Sequence, residues 1–270
     1  MTIKILCIFG TRPEAIKIAP LVKLLEVDPR FTSKVCITGQ HREMLSQILN
    51  YFEITPNYDL AVMIPNQSLT ELASSIIRSL GELFVDYKPD VVMVHGDTTT
   101  TISAALAAFY NHIPVVHIEA GLRTGDINSP WPEEANRKVT STLSRTHFCP
   151  TEQAKLNLVN EGVSDSNVYV TGNTVVDALL SILNKIKNDS NLENVLKGSF
   201  SFLENGNKNI LITCHRRESH GEGIKEICAA IKELSSNYEN FNFIYPVHLN
   251  PNIKNPVYEI LGNIKESLIK

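Results

Sequence analysis

Ile3-Lys4-Ile5-Leu6-Cys7-Ile8-Phe9-Gly10-Thr11-Arg12-Pro13-Glu14-Ala15-Ile16-Lys17 is the stretch whose reading decides the architecture. Ile3–Phe9 is apolar but for one lysine and reads as a strand. Gly10 makes the turn, and a proline then starts a helix, Pro13–Glu26, with apolar residues at three- and four-residue spacing. The same unit recurs downstream. Strands are predicted at Lys34–Thr38, Val91–His95, Val115–Glu119, Thr146–Cys149 and Val168–Thr171, and helices at His41–Phe52, Leu69–Tyr87, Thr98–Tyr110, Glu133–Leu143 and Glu152–Asn160. Strands that are apolar on both faces and separated by helices are buried parallel strands, because each right-handed crossover lays its helix on a sheet face. Residues 1–172 are therefore expected to form one Rossmann-like, doubly wound α/β domain.

Residues 173–207 read as boundary and linker helices, since the composition turns to Asn, Lys, Ser, Glu and Gly from Asn184. A second α/β pattern occupies residues 208–270: strand Asn209–Cys214, helix Ile224–Ser235, strand Asn242–Val247 and a helix around Asn255–Leu261. A sheet of ordinary size has about five or six strands. The second Rossmann-like domain is thus expected to be incomplete.

Composition narrows the partners. Among 270 residues, Lys+Arg 25 against Asp+Glu 29 gives a net charge of −4, so no basic field exists to hold nucleic acid or an anionic membrane surface. No stretch approaches the ~18 apolar residues needed to span a bilayer, and the N-terminus is too short and wrongly flanked for a secretion signal. The 5 cysteines are dispersed without a CxxC pair, which reads as buried thiols in a reducing cytoplasm.

In an open parallel sheet, ligands bind beyond the carboxyl ends of the strands. After the first strand, Arg12 and Lys17 flank a helix N-terminus suited to a phosphate or diphosphate. A plain strand-to-helix turn with solvated charges explains that segment equally well. Asp97, after Val91–His95, is a suitable N-cap for the next helix. Glu119 closes an apolar strand, which is costly for a carboxylate unless it is paired or solvated; Arg123 is its candidate partner. Pro132-Glu133-Glu134 makes a good helix start, with acids at the positive end of the dipole. His215, flanked by Arg216 and Arg217 at a strand end, is a better catalytic candidate than a lone histidine. No P-loop, dinucleotide fingerprint, HExxH or GxSxG is present, and no histidine or cysteine cluster has metal-ligand spacing, so neither metal nor cofactor is expected.

The ordered set Gly10-Thr11-Arg12-Pro13-Glu14-Ala15-Ile16-Lys17, Gly39-Gln40-His41-Arg42, His95-Gly96-Asp97-Thr98, His117-Ile118-Glu119-Ala120-Gly121-Leu122-Arg123, Pro132-Glu133-Glu134-Ala135-Asn136-Arg137, His215-Arg216-Arg217-Glu218 and Tyr245-Pro246-Val247-His248 resembles the non-hydrolysing UDP-N-acetylglucosamine 2-epimerases. The resemblance implies two domains of GT-B type, with UDP-N-acetylglucosamine in the interdomain cleft. It implies interconversion with UDP-N-acetylmannosamine by elimination of UDP and re-addition with inversion at C2, supplying cell-surface polysaccharide precursors from the cytoplasm. By match to the family motifs, Asp97, Glu119 and Glu133 are acid/base candidates. His215 stabilises the leaving group, and Arg12, Lys17 and Arg123 bind substrate. Gln40, Gln67, Glu134 and Arg216 are implied in a second, activating sugar-nucleotide site. The chain departs from the family pattern there, with Asn66-Gln67 in place of Arg-Gln and Ser219 in place of asparagine.

A Ser-Gly-Gly segment that holds uridine in the family lies beyond Lys270. The expectation is a shortened chain with a separately encoded C-terminal fragment or a homodimer as partner arrangements. An inactive sugar-nucleotide-binding fragment and a hydrolysing epimerase or UDP-sugar glycosyltransferase stand as the alternatives.

Overall fold

The computed structural model describes residues 2–39, 42–64, 67–204, 206–214, 221–248 and 250–262. The chain divides into two compact units, Met1–Lys185 and Ile186–Lys270.

The first unit runs β1 (Ile3–Phe9), α1 (Arg12–Val27), β2 (Phe31–Ile37), α2 (Arg42–Tyr51), β3 (Tyr58–Asp59), α3 (Leu69–Tyr87), β4 (Val91–His95), α4 (Thr99–Tyr110), β5 (Val115–Ile118), α5 (Glu133–Leu143), β6 (Thr146–Cys149), α6 (Glu152–Asn160), β7 (Val168–Val170) and α7 (Thr174–Asn188). Its seven strands lie in the order β3-β2-β1-β4-β5-β6-β7, and every neighbouring pair is parallel. The order reverses between β1 and β4, which makes their carboxyl ends the topological switch of a doubly wound sheet. The expected α/β architecture is therefore what forms.

Pleating sends alternate side chains to opposite faces. Ile5, Cys7, Phe9, Val35, Ile37, Met93 and Ile118 pack with Ala15, Ile18, Val22 and Leu25 of α1 and with Leu45 and Leu49 of α2. Leu6, Ile8, Cys36, Val92, Val94 and Val115 face Leu72, Ile76, Leu80 and Phe84 of α3 and the alanines of α4. In α3 those four residues recur every fourth position, one stripe of the helix. Ser68 and Glu71 form a capping box at its start, and left-handed Lys88 closes its end by donating its N–H to Phe84 O.

Three elements differ from the sequence reading. The two-residue strand β3 is too short to show a period. α7 begins well before the polar stretch, and its Ala178 and Ile182 pack on the α1/α2 side of the first core, so the division falls at Lys185 rather than after residue 172. β2 starts at Phe31 rather than Lys34, where polar Thr32 and Ser33 masked the strand pattern.

The second unit contains α8 (Ser190–Ser199), β8 (Lys208–Leu211), α9 (Glu222–Asn237), β9 (Phe241–Ile244) and α10 (Pro251–Leu261). β8 and β9 pair in parallel. Ile224, Cys228 and Ile231 of α9 pack with Phe243, Tyr245 and the Ile253, Val257 and Leu261 stripe of α10. Buried Tyr245 donates its hydroxyl to Cys214 O at 2.7 Å, tying together the ends of the two strand segments.

Candidate active site

The carboxyl ends of β1, β4 and β5 carry a compact set of ionisable groups. Gly10 and Thr11 follow β1, and the Glu14 carboxylate folds back to accept from their amides at 3.0 and 2.7 Å. It also accepts from the Thr98 hydroxyl at 2.8 Å and the Thr101 hydroxyl at 3.2 Å. Buried Glu14 thus pins the turn after β1 to the start of α4. Burial pushes its carboxyl above the usual carboxylate range, against those hydrogen bonds. Its capping-box role leaves Arg12 exposed at the first residue of α1 and Lys17 half-buried one turn on.

After β4 the chain turns at Gly96, φ 67°. The His117 ring holds this turn: its Nε2 lies 2.7 Å from Gly96 O, and because a carbonyl only accepts, Nε2 carries the proton. Asp97 was expected to cap the following helix. Thr98 takes that position, its hydroxyl accepting from Thr101 N at 3.2 Å. Asp97 is thereby freed for the site, and Arg137 of α5 donates to its Oδ2 at 2.5 Å. Asn136 donates to its backbone carbonyl at 2.9 Å. Burial raises the Asp97 carboxyl above its ordinary value; Arg137 opposes the rise, and the nearby Glu119 and Glu133 charges reinforce it.

Glu119 follows β5 with φ 60°, a left-handed conformation that a glutamate adopts only when its surroundings impose it. Lys17 Nζ lies 2.7 Å from both of its carboxylate oxygens. Asn173, just before α7, donates to Oε2 at 2.9 Å. Arg123 is therefore not its partner. The Arg123 guanidinium turns away to Glu161, the residue after α6, at 2.7 to 3.1 Å, and to Ser141 Oγ at 3.1 Å. In that geometry Arg123 clasps the loop after β5.

The same loop is held at Gly121. Its φ is 86°, and a Cβ there would meet Ala154 O at 2.1 Å, so only glycine fits. Beneath the carboxylates, the His95 ring is 2% exposed, and neither ring nitrogen has a hydrogen-bond partner among the described residues. Burial holds it neutral, with its pKa lowered to about 4.

Glu133 opens α5 half-buried, next to Asp97 in charge. Glu134 is fully buried, accepts from Thr124 N at 3.2 Å and Gly125 N at 3.4 Å, and lies 3.4 Å from Arg137 Nη1. Gln67 is half-buried and accepts from Ile64 N at 3.3 Å. Gln40, His215 and Arg216 lie outside the described residues. Among the described residues no group of three His, Cys, Asp or Glu could hold a metal ion.

Two residues were missed at the level of sequence. Arg137 lies on α5 four positions after Glu133, a spacing that places both on one face, yet an arginine on a polar helix reads as solvated. Asn173 follows Gly172 where a strand gives way to a helix, and it reads only as a turn residue.

The family model for UDP-N-acetylglucosamine 2-epimerase matches residues 23–269. This chain belongs to that family. The UDP-N-acetylglucosamine 2-epimerase of Escherichia coli K12 is 52% identical over 266 residues, which are 98% of this chain and 71% of the relative. The enzyme of Neisseria meningitidis serogroup A is 55% identical over 261 residues, 97% of this chain and 70% of its own. A crystal structure of the Neisseria meningitidis epimerase bound to UDP-GlcNAc superimposes with a TM-score of 0.94 at 54% identity, over 99% of this chain and 71% of that one. A Methanocaldococcus jannaschii epimerase in complex with UDP-GlcNAc and UDP is still similar at 31% identity, with a TM-score of 0.81 over 99% of this chain and 72% of its own.

Proposed function

We propose that the protein interconverts UDP-N-acetylglucosamine and UDP-N-acetylmannosamine. The observation that carries this reading is the pairing, on one sheet rim, of two carboxylates with two cations: Glu119 with Lys17, and Asp97 with Arg137. Inverting C2 of a sugar bearing a diphosphate at C1 needs both kinds of group.

A carboxylate takes the C2 proton. The C2–H electron pair becomes the C1=C2 double bond as the C1–O bond breaks, and UDP leaves with that bonding pair. Re-addition of the diphosphate oxygen to C1, with a proton delivered to the other face of C2, gives the epimer. Asp97, Glu119 and Glu133 are the acid/base groups in this reading. Burial pushes the Asp97 carboxyl above its ordinary value against the pull of Arg137, which eases its exchange of a proton. Arg12, exposed at the start of α1, and Lys17 face the charge that develops on the departing diphosphate, with the helix N-terminus adding its amides. His215 joins them on the strength of its motif. The substrate is a cytoplasmic sugar nucleotide, and all five cysteines are free, in keeping with a reducing compartment.

Incubating the purified protein with UDP-N-acetylglucosamine in deuterated water tests the reading. The C2 epimer should appear with deuterium at C2 in both sugars. Release of free N-acetylmannosamine instead would assign a hydrolysing reaction, and no exchange at C2 would overturn the proposal.

A further inference from the structure

Glu119 is held from two sides by different kinds of donor. Lys17 is a charged group on a flexible stem, and 26% of its side chain is exposed. Asn173 is neutral and anchored: its Oδ1 accepts from Val175 N at 3.0 Å while its backbone carbonyl accepts from Val176 N at 3.0 Å, so it caps α7 with both oxygens. That capping bond dictates the amide orientation, because only Oδ1 can face an N–H. Nδ2 is thereby turned to Glu119 Oε2 at 2.9 Å.

The mechanism proposed above asks Lys17 to meet a departing diphosphate; two of its three N–H groups serve Glu119 and one is left for that contact, and a lysine drawn to the diphosphate weakens its hold on the carboxylate. We propose that Asn173 is a positioning residue, which keeps Glu119 in place when Lys17 swings from the carboxylate to the diphosphate. This rests on the epimerase reading for its catalytic consequence, though the restraint itself does not. Glu119 retains one directed hydrogen bond and the positive end of α7, and loses its cation at the stage when a carboxylate has to exchange a proton.

Asn173→Asp and Asn173→Ser both preserve an oxygen that caps α7, and both remove the donor to Glu119. In the protein as the cell makes it, each should lower kcat by ~10- to 100-fold, with KM within ~3-fold and an unchanged melting temperature. Wild-type kcat, or a fall in kcat, affinity and melting temperature together, would overturn the proposal. A second measurement does not depend on turnover. Crystal structures of Lys17→Met and of Lys17→Met combined with Asn173→Ser should show the Glu119 carboxylate retained in the first and displaced by more than ~1 Å in the second. Retention in both overturns the role of Asn173. A wild-type protein without exchange at C2 counts against the epimerase reading alone, because these two structures still decide the restraint.

Discussion

Lys17 and Glu119, separated by 102 positions in sequence, bring Nζ to 2.7 Å from each carboxylate oxygen. Lys17 comes from the helix after β1 and Glu119 from the end of β5, so the pair reaches across the end of β4, which lies between those strands. The turn there is made by Gly96, and Glu119 Oε1 lies 3.8 Å from where a Cβ on that glycine would stand.

Removing one member of this pair strands the other in a partly dry setting. Lys17→Gln is expected to lower stability by about 1–2 kcal/mol and turnover by ~10²–10³-fold. Combining it with Glu119→Gln should cost less stability than the sum of the single changes, since the two side chains touch. Urea unfolding of the three variants checks this, and strict additivity would count against the pair.

Asp97→Asn and Glu119→Gln should each cut epimerisation by ~10²–10⁴-fold without unfolding the protein, the range for a positioned acid/base group. Steady-state kinetics beside circular dichroism decides the matter. Wild-type turnover in either variant would falsify the assignment.

Gly121→Ala should be severely destabilising. The new Cβ would fall 2.1 Å from Ala154 O at a φ of 86°, and backbone on both sides has to move. A loss of about 2 kcal/mol or more is expected, along with lower turnover because the loop carries Glu119. Gly125→Ala serves as the control: its φ of 85° is equally left-handed, but nothing stands within 4 Å of the added carbon. If both substitutions cost the same, the close approach to Ala154 is not what matters.

Acid lability should come from three buried histidines. Burial lowers the pKa of His95 to about 4, of His117 to about 3 and of His147 to about 4. Between these values and the ordinary 6.5, the unfolded chain binds protons that the folded one refuses. Stability from these groups is therefore complete above pH 6.5 and is lost as pH falls towards 4, at about 1 kcal/mol per pH unit for each titrating ring. Glu14 and Asp97, whose carboxyls burial raises, act in the opposite sense. Urea midpoints from pH 7 to 4.5 should fall, and His147→Asn should flatten the slope. An unchanged slope in that variant would remove His147 from the account.

The doubly wound sheet was legible in sequence because Ile3–Phe9, Val91–His95 and the other buried strands are apolar on both faces, and the helices between them carry apolar residues at helical spacing. Strand-end placement of Arg12, Lys17, Asp97 and Glu119 follows from the same local pattern, since a strand's last residue and the turn after it are set by a few neighbours. Pairing is not local. That Glu119 meets Lys17 and Asn173 rather than Arg123, that Thr98 caps α4 and leaves Asp97 to Arg137, and that Glu134 is buried while Glu133 is not, all depend on which rim each crossover reaches. Arg123 is nearer to Glu119 in sequence, but Gly121 turns the chain against Ala154 and carries the guanidinium over to Glu161. Local periodicity determined the strands and the residues at their ends; the sheet order and the close approach of loops from separate strands decided their partners, because a charge is paired by what lies within a few ångströms in space.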